Sequence, residues 1–290
     1  MNIRDIVARA LAEDLGAGDV TTQALFPEAV PAIGTIVAEE RDGLVLAGLA
    51  VAVEVFRQVD PSLTCSLNAT DGARIPHETT ILTVTGDGRS LLKSERVALN
   101  FLQRLSGIAT LTAKFCEAVT GLPVKIVDTR KTTPGLRALE KWAVTLGGGH
   151  NHRFGLGDGI LIKDNHLALA AGPSGKTPTS GDVARACRLV AERAKRAPYG
   201  LKVEVEVRTL DEVQAALDGG ADIILLDNMD APSIRKAVEL IKGRAVTEAS
   251  GGVTLATVRE IAAAGPDLIS VGALTHSAPA ADLSMDIVSR

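Results

Sequence analysis

Five polar residues stand where apolar runs of this 290-residue chain stop: Asp128, Lys163, Glu206, Asp227 and Glu248. Acids and amines in such places are the raw material of a site for charged substrates, because a parallel sheet closed by helices delivers its strand ends to one rim. A single acid after a strand is more simply a cap for the next helix. Five in matching positions favour a site. The run Val203-Glu204-Val205-Glu206-Val207 sharpens the point. Side chains alternate along a strand, so the valines share one face and both glutamates the other. Inward carboxylates need a cation, and Asp227 offers another acid at a matching height. Oxygen donors without His or Cys suit magnesium held by Glu206 and Asp227, with water and a pyrophosphate completing its shell. The structural alternative is an ion pair with Lys202 or Lys163.

The complementary charge lies between Asp128 and His166, where six Arg or Lys stand against four acids in a chain whose net charge is −4. Such a local excess points to anion binding. Arg130 and Arg153 carry planar guanidinium forks that match carboxylates and phosphates bidentately. Arg137 and Lys141, four apart on an expected helix, fit a solvated face instead. Gly147-Gly148-Gly149 lets backbone approach a ligand ahead of His150 and His152, which lack a third nitrogen or sulfur partner for a metal. Further on, Ser250-Gly251-Gly252 and Gly272-Ala273 follow the last two apolar runs, where barrel loops present backbone N–H groups to phosphate.

These residues need a scaffold that repeats. After Gly121 the expected strands are Val124–Asp128, Gly159–Lys163, Val203–Val207, Ile223–Asp227, Ala245–Ala249 and Leu268–Val271, alternating with helical segments. Alternation of this kind means a parallel sheet. Glu206, Asp227, Glu248 and Ser270 follow one another at intervals of 21, 21 and 22 residues, which favours closure into a barrel. Ahead of them, short β runs at Ile33–Ala38, Leu44–Ala47, Leu63–Leu67 and Thr80–Thr85, with a helix at Ala50–Gln58, predict a small α+β unit. A helical stretch from Ser90 to about Val119, weakened at Gly107, joins the two. The segment Gly172–Gly181 reads as a mobile loop open to proteolysis.

Composition narrows the classes. Aromatics are 2% of the chain, which leaves a Val, Ile, Leu and Ala core and no stacking platform for nucleic acid. Cys65, Cys116 and Cys187 are too few and too scattered for a disulfide framework or a zinc site. No apolar run approaches a membrane span and the first residues lack a signal-peptide layout, so a cytoplasmic protein is expected.

The run from Asp128-Thr129-Arg130-Lys131-Thr132-Thr133-Pro134-Gly135-Leu136-Arg137 through Asn151-His152-Arg153 to Leu161-Ile162-Lys163-Asp164-Asn165-His166 closely resembles quinolinate phosphoribosyltransferases. So do Glu95-Arg96-Val97-Ala98-Leu99-Asn100, Leu226-Asp227-Asn228, Glu248-Ala249-Ser250-Gly251-Gly252 and Gly272-Ala273-Leu274-Thr275-His276. The resemblance implies an α/β fold: an incomplete, seven-stranded β/α barrel over residues 116–276, with a smaller α+β sandwich domain over 1–115 that the C-terminal segment 277–290 rejoins. It implies a homodimer, or an assembly of dimers, with shared active sites. It also implies that Arg130, His152, Arg153 and Lys163 bind quinolinate, with Arg96 supplied by the neighbouring subunit. Lys131 lies between both substrates. Glu206 and Asp227 position magnesium and the ribose of phosphoribosyl pyrophosphate, while Ser250, Gly251, Gly272 and His276 bind its phosphates. The expected reaction is phosphoribosyl transfer to quinolinate with decarboxylation, giving nicotinate mononucleotide on the route to NAD. The rivals are a related enzyme acting on another heterocyclic acid and a non-catalytic barrel that senses anionic metabolites.

Overall fold

Residues 31–38 alternate between buried and partly exposed positions, and the strand they form is the spine of the first part of the chain. In the computed structural model, which describes residues 2–170, 179–194 and 200–290, the chain divides into two units. The first comprises Met1–Ala113, Lys131–Gly148 and Ala273–Arg290; the second comprises Lys114–Arg130 and Gly149–Gly272. The segment Lys131–Gly148, which the sequence reading assigns to the barrel, thus packs with the first unit. Most of the expected loop Gly172–Gly181 lies outside the described residues, and its last two residues open a helix. Among the described residues no helix is long and apolar enough to cross a membrane.

The first unit begins with α1 (Ile3–Leu15), which buries Val7 and Leu11 and ends at Gly16, where φ is 44°. Next come α2 (Val20–Leu25), capped by the Asp19 carboxylate, then β1 (Pro31–Ala38) and the short β2 (Leu44–Val45). They are followed by α3 (Leu49–Val59), β3 (Thr64–Leu67), β4 (Arg74–Ile75) and β5 (Thr79–Asp87). β1 pairs antiparallel with β5 on one side and with the C-terminal strand Leu283–Ser289 on the other. The 31-residue α4 (Gly88–Ala118) buries Leu91, Leu102, Leu105 and Ile108. Its hydroxyls also satisfy the backbone near β2: the Val45 N–H donates to Thr110 Oγ1 at 2.8 Å and the Ala47 N–H to Ser106 Oγ at 3.0 Å. Gly107, a weak point by helix propensity, has a packing reason. A Cβ there would lie 1.9 Å from the Pro279 carbonyl oxygen, so only glycine lets that segment lie against the helix.

The second unit is a wound sheet. Its strands are β6 (Lys125–Val127), β7 (Ile160–Ile162), β8 (Val203–Val207), β9 (Ile223–Asp227), β10 (Val246–Ser250) and β11 (Leu268–Ser270). Between β6 and β7 the chain makes α5 (Arg137–Leu146), which belongs to the first unit. The others are followed by α6 (Asp164–Ala170), α7 (Ser180–Ala194), α8 (Leu210–Asp218), α9 (Ala231–Ile241), α10 (Val258–Ala263) and the short α11 (Ala273–His276), before β12 (Leu283–Ser289) closes the chain. Local chemistry starts these helices where it should. Thr209 and Glu212 form a reciprocal capping box on α8, and Asp230 caps α9 ahead of a proline in its first turn. The strand order is β6-β11-β10-β9-β8-β7, all parallel. A lone parallel bridge from Val127 to His150 adds a one-residue contact at the outer edge of β6.

Register decides what each face carries. Glu204 pairs with Ile223, Glu206 with Leu225, Leu225 with Glu248, and Asp227 with Ser250, which pairs with Ser270. Paired residues in neighbouring strands share a face. One face of the sheet therefore collects Glu204, Glu206, Asp227, Glu248, Ser250 and Ser270. The opposite face carries Val203, Val205 and Val207, each no more than 1% exposed, and each such burial is worth roughly 1.5–3 kcal/mol. A slip of one residue would bury the acids among the helices, so the apolar face locks the chemical one in place.

Candidate active site

The collected acids form two tiers. The deeper holds Glu204 and Glu248, 4% and 1% exposed, with His152. Asp128, wholly buried just past β6, accepts a hydrogen bond from the His152 N–H at 2.8 Å and so anchors the histidine's backbone. The imidazole Nε2 lies 3.2 Å from Glu204 Oε2 and 3.5 Å from Glu248 Oε2. Among the described residues this is the one group of three His, Cys, Asp or Glu side chains close enough to surround a metal. An ion-paired histidine accounts for it without one, although Glu248 Oε1 is buried with no hydrogen-bond partner. Burial alone would push the His152 pKa down. Hydrogen bonds and charges from Glu204 and Glu248 outweigh it and raise the pKa to about 10. The Arg153 N–H points at His152 Nδ1 at 2.8 Å, which opposes a proton on that nitrogen. Two carboxylate charges in a dry site outweigh one N–H dipole, and Nε2 carries a proton in either form. Burial, followed by the Glu248 charge, lifts the Glu204 carboxyl against the opposing pull of His152.

The outer tier lies at the rim. Lys163, directly after β7, places Nζ 3.4 Å from Glu206 Oε2. Arg208, directly after β8, is exposed and bridges the acids. Its Nε lies 3.2 Å from Asp227 Oδ2, and its Nη2 lies 3.8 Å from Glu206 Oε1 and 3.0 Å from Asp164 Oδ2. The Asn228 side-chain amide donates to Asp227 Oδ1 at 2.9 Å. The ion-pair alternative for Glu206 is therefore present with Lys163, whereas Lys202 pairs with Asp222 at 2.9 Å. Arg153 donates from Nη1 to the Gly159 carbonyl at 2.9 Å. Burial and then the neighbouring Arg130 charge hold its pKa below the ordinary arginine value. Like charges crowded in this way, partly buried, are costly unless an anion joins them.

Beyond β10 the backbone turns through Gly251 at φ 96° and Gly252 at φ 61°, beside Asn228 at φ 55°. The Asn228 N–H donates to the Ser250 carbonyl at 2.8 Å. A Cβ on Gly251 would come within 2.3 Å of Asn228 Oδ1 and 2.9 Å of its backbone nitrogen, so both conformation and space demand glycine there. Gly272 follows β11, whose next residue, Val271, donates its N–H to the Val127 carbonyl at 2.9 Å.

Thus the second unit brings together Arg130, His152, Arg153, Lys163, Glu206, Asp227, Ser250, Gly251 and Gly272 along one line of strand ends. Lys131, His276 and Arg96 belong to the first unit. There Thr275 Oγ1 donates to the Lys131 carbonyl at 2.7 Å, drawing the Lys131 and His276 segments together. Arg96 is an exposed position of α4. Two expectations change. Lys141 is 2% exposed rather than solvated, because α5 turns that face into the first unit. Gly147 is required for packing rather than ligand approach, since a Cβ would lie 2.3 Å from the Ala109 carbonyl oxygen. Arg208 escapes sequence reading altogether. It is an ordinary cation after an ordinary strand, and only register shows that it faces two acids.

Comparison with known proteins shows what the whole chain is similar to. Residues 19–106 match the family model "Quinolinate phosphoribosyl transferase, N-terminal domain", and residues 108–286 match its C-terminal domain counterpart. The chain is 42% identical, over 99% of its length and 78% of the relative's, to the chloroplastic nicotinate-nucleotide pyrophosphorylase [carboxylating] of Oryza sativa subsp. japonica. It is 39% identical, over 99% of its length and 94% of the relative's, to the probable nicotinate-nucleotide pyrophosphorylase [carboxylating] of Bacillus subtilis. The crystal structure of NadC from Streptococcus pyogenes superposes with a TM-score of 0.87 at 41% identity, covering 99% of this chain and 97% of that one.

Proposed function

The chain belongs to the quinolinate phosphoribosyltransferase family, and from that membership we propose how its own residues carry the reaction. The enzyme is a decarboxylating phosphoribosyltransferase. It joins quinolinate to phosphoribosyl pyrophosphate and releases pyrophosphate and carbon dioxide, leaving nicotinate mononucleotide for NAD biosynthesis. The observation that carries the assignment of roles is the facing of cations and acids at the strand ends, where Lys163 and Arg208 meet Glu206 and Asp227. Arg130, His152, Arg153 and Lys163 take the two carboxylates of quinolinate, with Arg96 from a partner subunit completing the set. Their crowded positive charge is relieved by a dianion and far less by a monoacid.

Glu206 and Asp227 serve the phosphoribosyl donor. Their oxygen donors, partly exposed and held by exposed side-chain cations that can yield, fit magnesium; the ion would supply positive charge to the departing pyrophosphate. As the bond from ribose C1 to the pyrophosphate oxygen breaks, C1 becomes oxocarbenium-like, and the same two carboxylates stabilise it. Ser250, Gly251, Gly272 and His276 hold the phosphates, and Lys131 lies between the two substrates. The pyridine nitrogen attacks C1 and becomes cationic. That positive charge stabilises the carbanion left on the neighbouring ring carbon when its carboxylate departs as carbon dioxide, and a proton then adds to the carbanion's electron pair.

Purified protein given quinolinate, phosphoribosyl pyrophosphate and magnesium should form nicotinate mononucleotide, and should do so far better than with nicotinate in place of quinolinate. Equal use of both acids would refute the dicarboxylate site. The homodimer is tested by refolding an equal mixture of Arg96→Ala and Lys131→Ala chains, each nearly inactive alone. Sharing across the dimer predicts return of about a quarter of wild-type sites; no return despite subunit exchange would exclude it.

A further inference from the structure

One charge pair built on a buried carboxylate lies outside the substrate-binding set. Glu140, on α5, is wholly buried. Its Oε1 accepts from Arg104 Nε at 3.1 Å, from Arg104 Nη2 at 2.8 Å and from Thr133 Oγ1 at 2.7 Å. Its Oε2 accepts from the Thr133 N–H at 3.0 Å. Arg104, on α4, also donates to Thr133 Oγ1 at 3.5 Å and to the backbone carbonyls of Thr275 and Ala278, the latter at 3.2 Å. Thr275, itself wholly buried, returns a hydrogen bond from Oγ1 to the Lys131 carbonyl at 2.7 Å. All of these residues belong to the first unit.

A buried ion pair is a weak device for stability, because desolvating both charges offsets their attraction. Its value here lies in what it ties. The carboxylate holds Thr133, two residues past Lys131, and the guanidinium holds Thr275, adjacent to His276. The Lys131 and Thr275 segments, 144 residues apart in sequence, are thereby fixed to the same two side chains. We propose that Arg104, Glu140 and Thr275 are positioning residues that set Lys131 and His276 together for the phosphoribosyl donor. None of the three touches substrate; they act through the backbone that carries those two side chains. The inference rests on the donor-binding roles given above to Lys131 and His276.

Glu140→Ala would strand a half-buried guanidinium and endanger the fold, so the test uses the gentler pair Thr275→Val and Thr275→Ser. Valine keeps the shape and removes the hydroxyl; serine keeps the hydroxyl and removes a methyl. Thr275→Val should raise the KM for phosphoribosyl pyrophosphate about tenfold, the scale of one lost buried hydrogen bond. Phthalate, as a mimic of quinolinate, should bind as it does to wild type, and Thr275→Ser should restore the donor KM. Equal losses in both variants would mean that Thr275 only packs, and an unchanged donor KM in Thr275→Val would likewise overturn the proposal. Calorimetric titration with phosphoribosyl pyrophosphate alone separates the two layers of the argument. Wild type that binds the donor but does not turn over quinolinate would sink the functional reading while leaving the clamp testable by the same titration on the two variants.

Discussion

Glu204 and Glu206 are two residues apart on one face of one strand, yet they live in different electrostatic worlds. Glu204 is 4% exposed and committed to His152, with Glu248 at the same ring nitrogen. Glu206 lies at the rim, where its partners Lys163 and Arg208 are respectively about half and more than half exposed. Depth alone separates them. A pair formed in the dry interior cannot exchange partners without paying for desolvation, whereas a rim pair can trade a side-chain cation for a substrate or an ion at little cost. The inner tier is suited to holding a ring still, the outer to receiving charge.

The strongest way to break this contrast is to strip the inner tier. Glu248→Ala or His152→Ala removes one partner from a buried charge cluster and should destabilise the fold by about 3 kcal/mol, the lower end for such sites. Urea unfolding measures it; a loss under about 1 kcal/mol would mean the inner tier is not a buried pair in energetic terms. Next in size is Asp227→Asn, which keeps shape and drops one charge at the rim. Turnover should fall by about a hundredfold with the urea midpoint nearly unchanged, and an unaltered magnesium dependence would show that Asp227 is structural.

A subtler contrast lies in pH. The His152 pKa is raised from 6.5 to about 10, so its contribution to stability is complete below pH 6.5 and disappears as pH climbs towards 10. Melting temperature should therefore decline across that window, and His152→Asn should flatten the decline by up to one proton's worth. Parallel curves for the two proteins would contradict the assignment of charge to the inner tier. Smallest of all is Arg208→Ala. Exposed pairs are worth about 0.2–1 kcal/mol, so its unfolding midpoint should barely move. A large loss would erase the distinction between tiers.

Much of this was open to reading in one dimension. Alternation in Val203–Val207 predicts inward glutamates, and the regular spacing of Glu206, Asp227, Glu248 and Ser270 predicts a shared rim, because strand period and repeat length are local properties of the chain. The same reading places all six parallel strands within a residue or two of where they lie. It goes astray at Lys141 and Gly147. Both belong to a segment whose neighbours, α4 among them, are distant in sequence, and helix periodicity does not reveal which face such neighbours will cover.

What the sequence determined by itself is the inventory: which residues are acidic, which cationic, which segments are strands, and the family whose motifs they spell. Pairing was decided by the tertiary structure. Whether Glu204 meets His152 while Glu206 meets Lys163, whether Arg208 bridges two acids, and whether Arg104 can hold Thr133 and Thr275 at once depend on sheet register and on how far each atom is removed from water. Electrostatic energy varies with distance and local dielectric rather than with position along the chain. Only folding sets those two quantities.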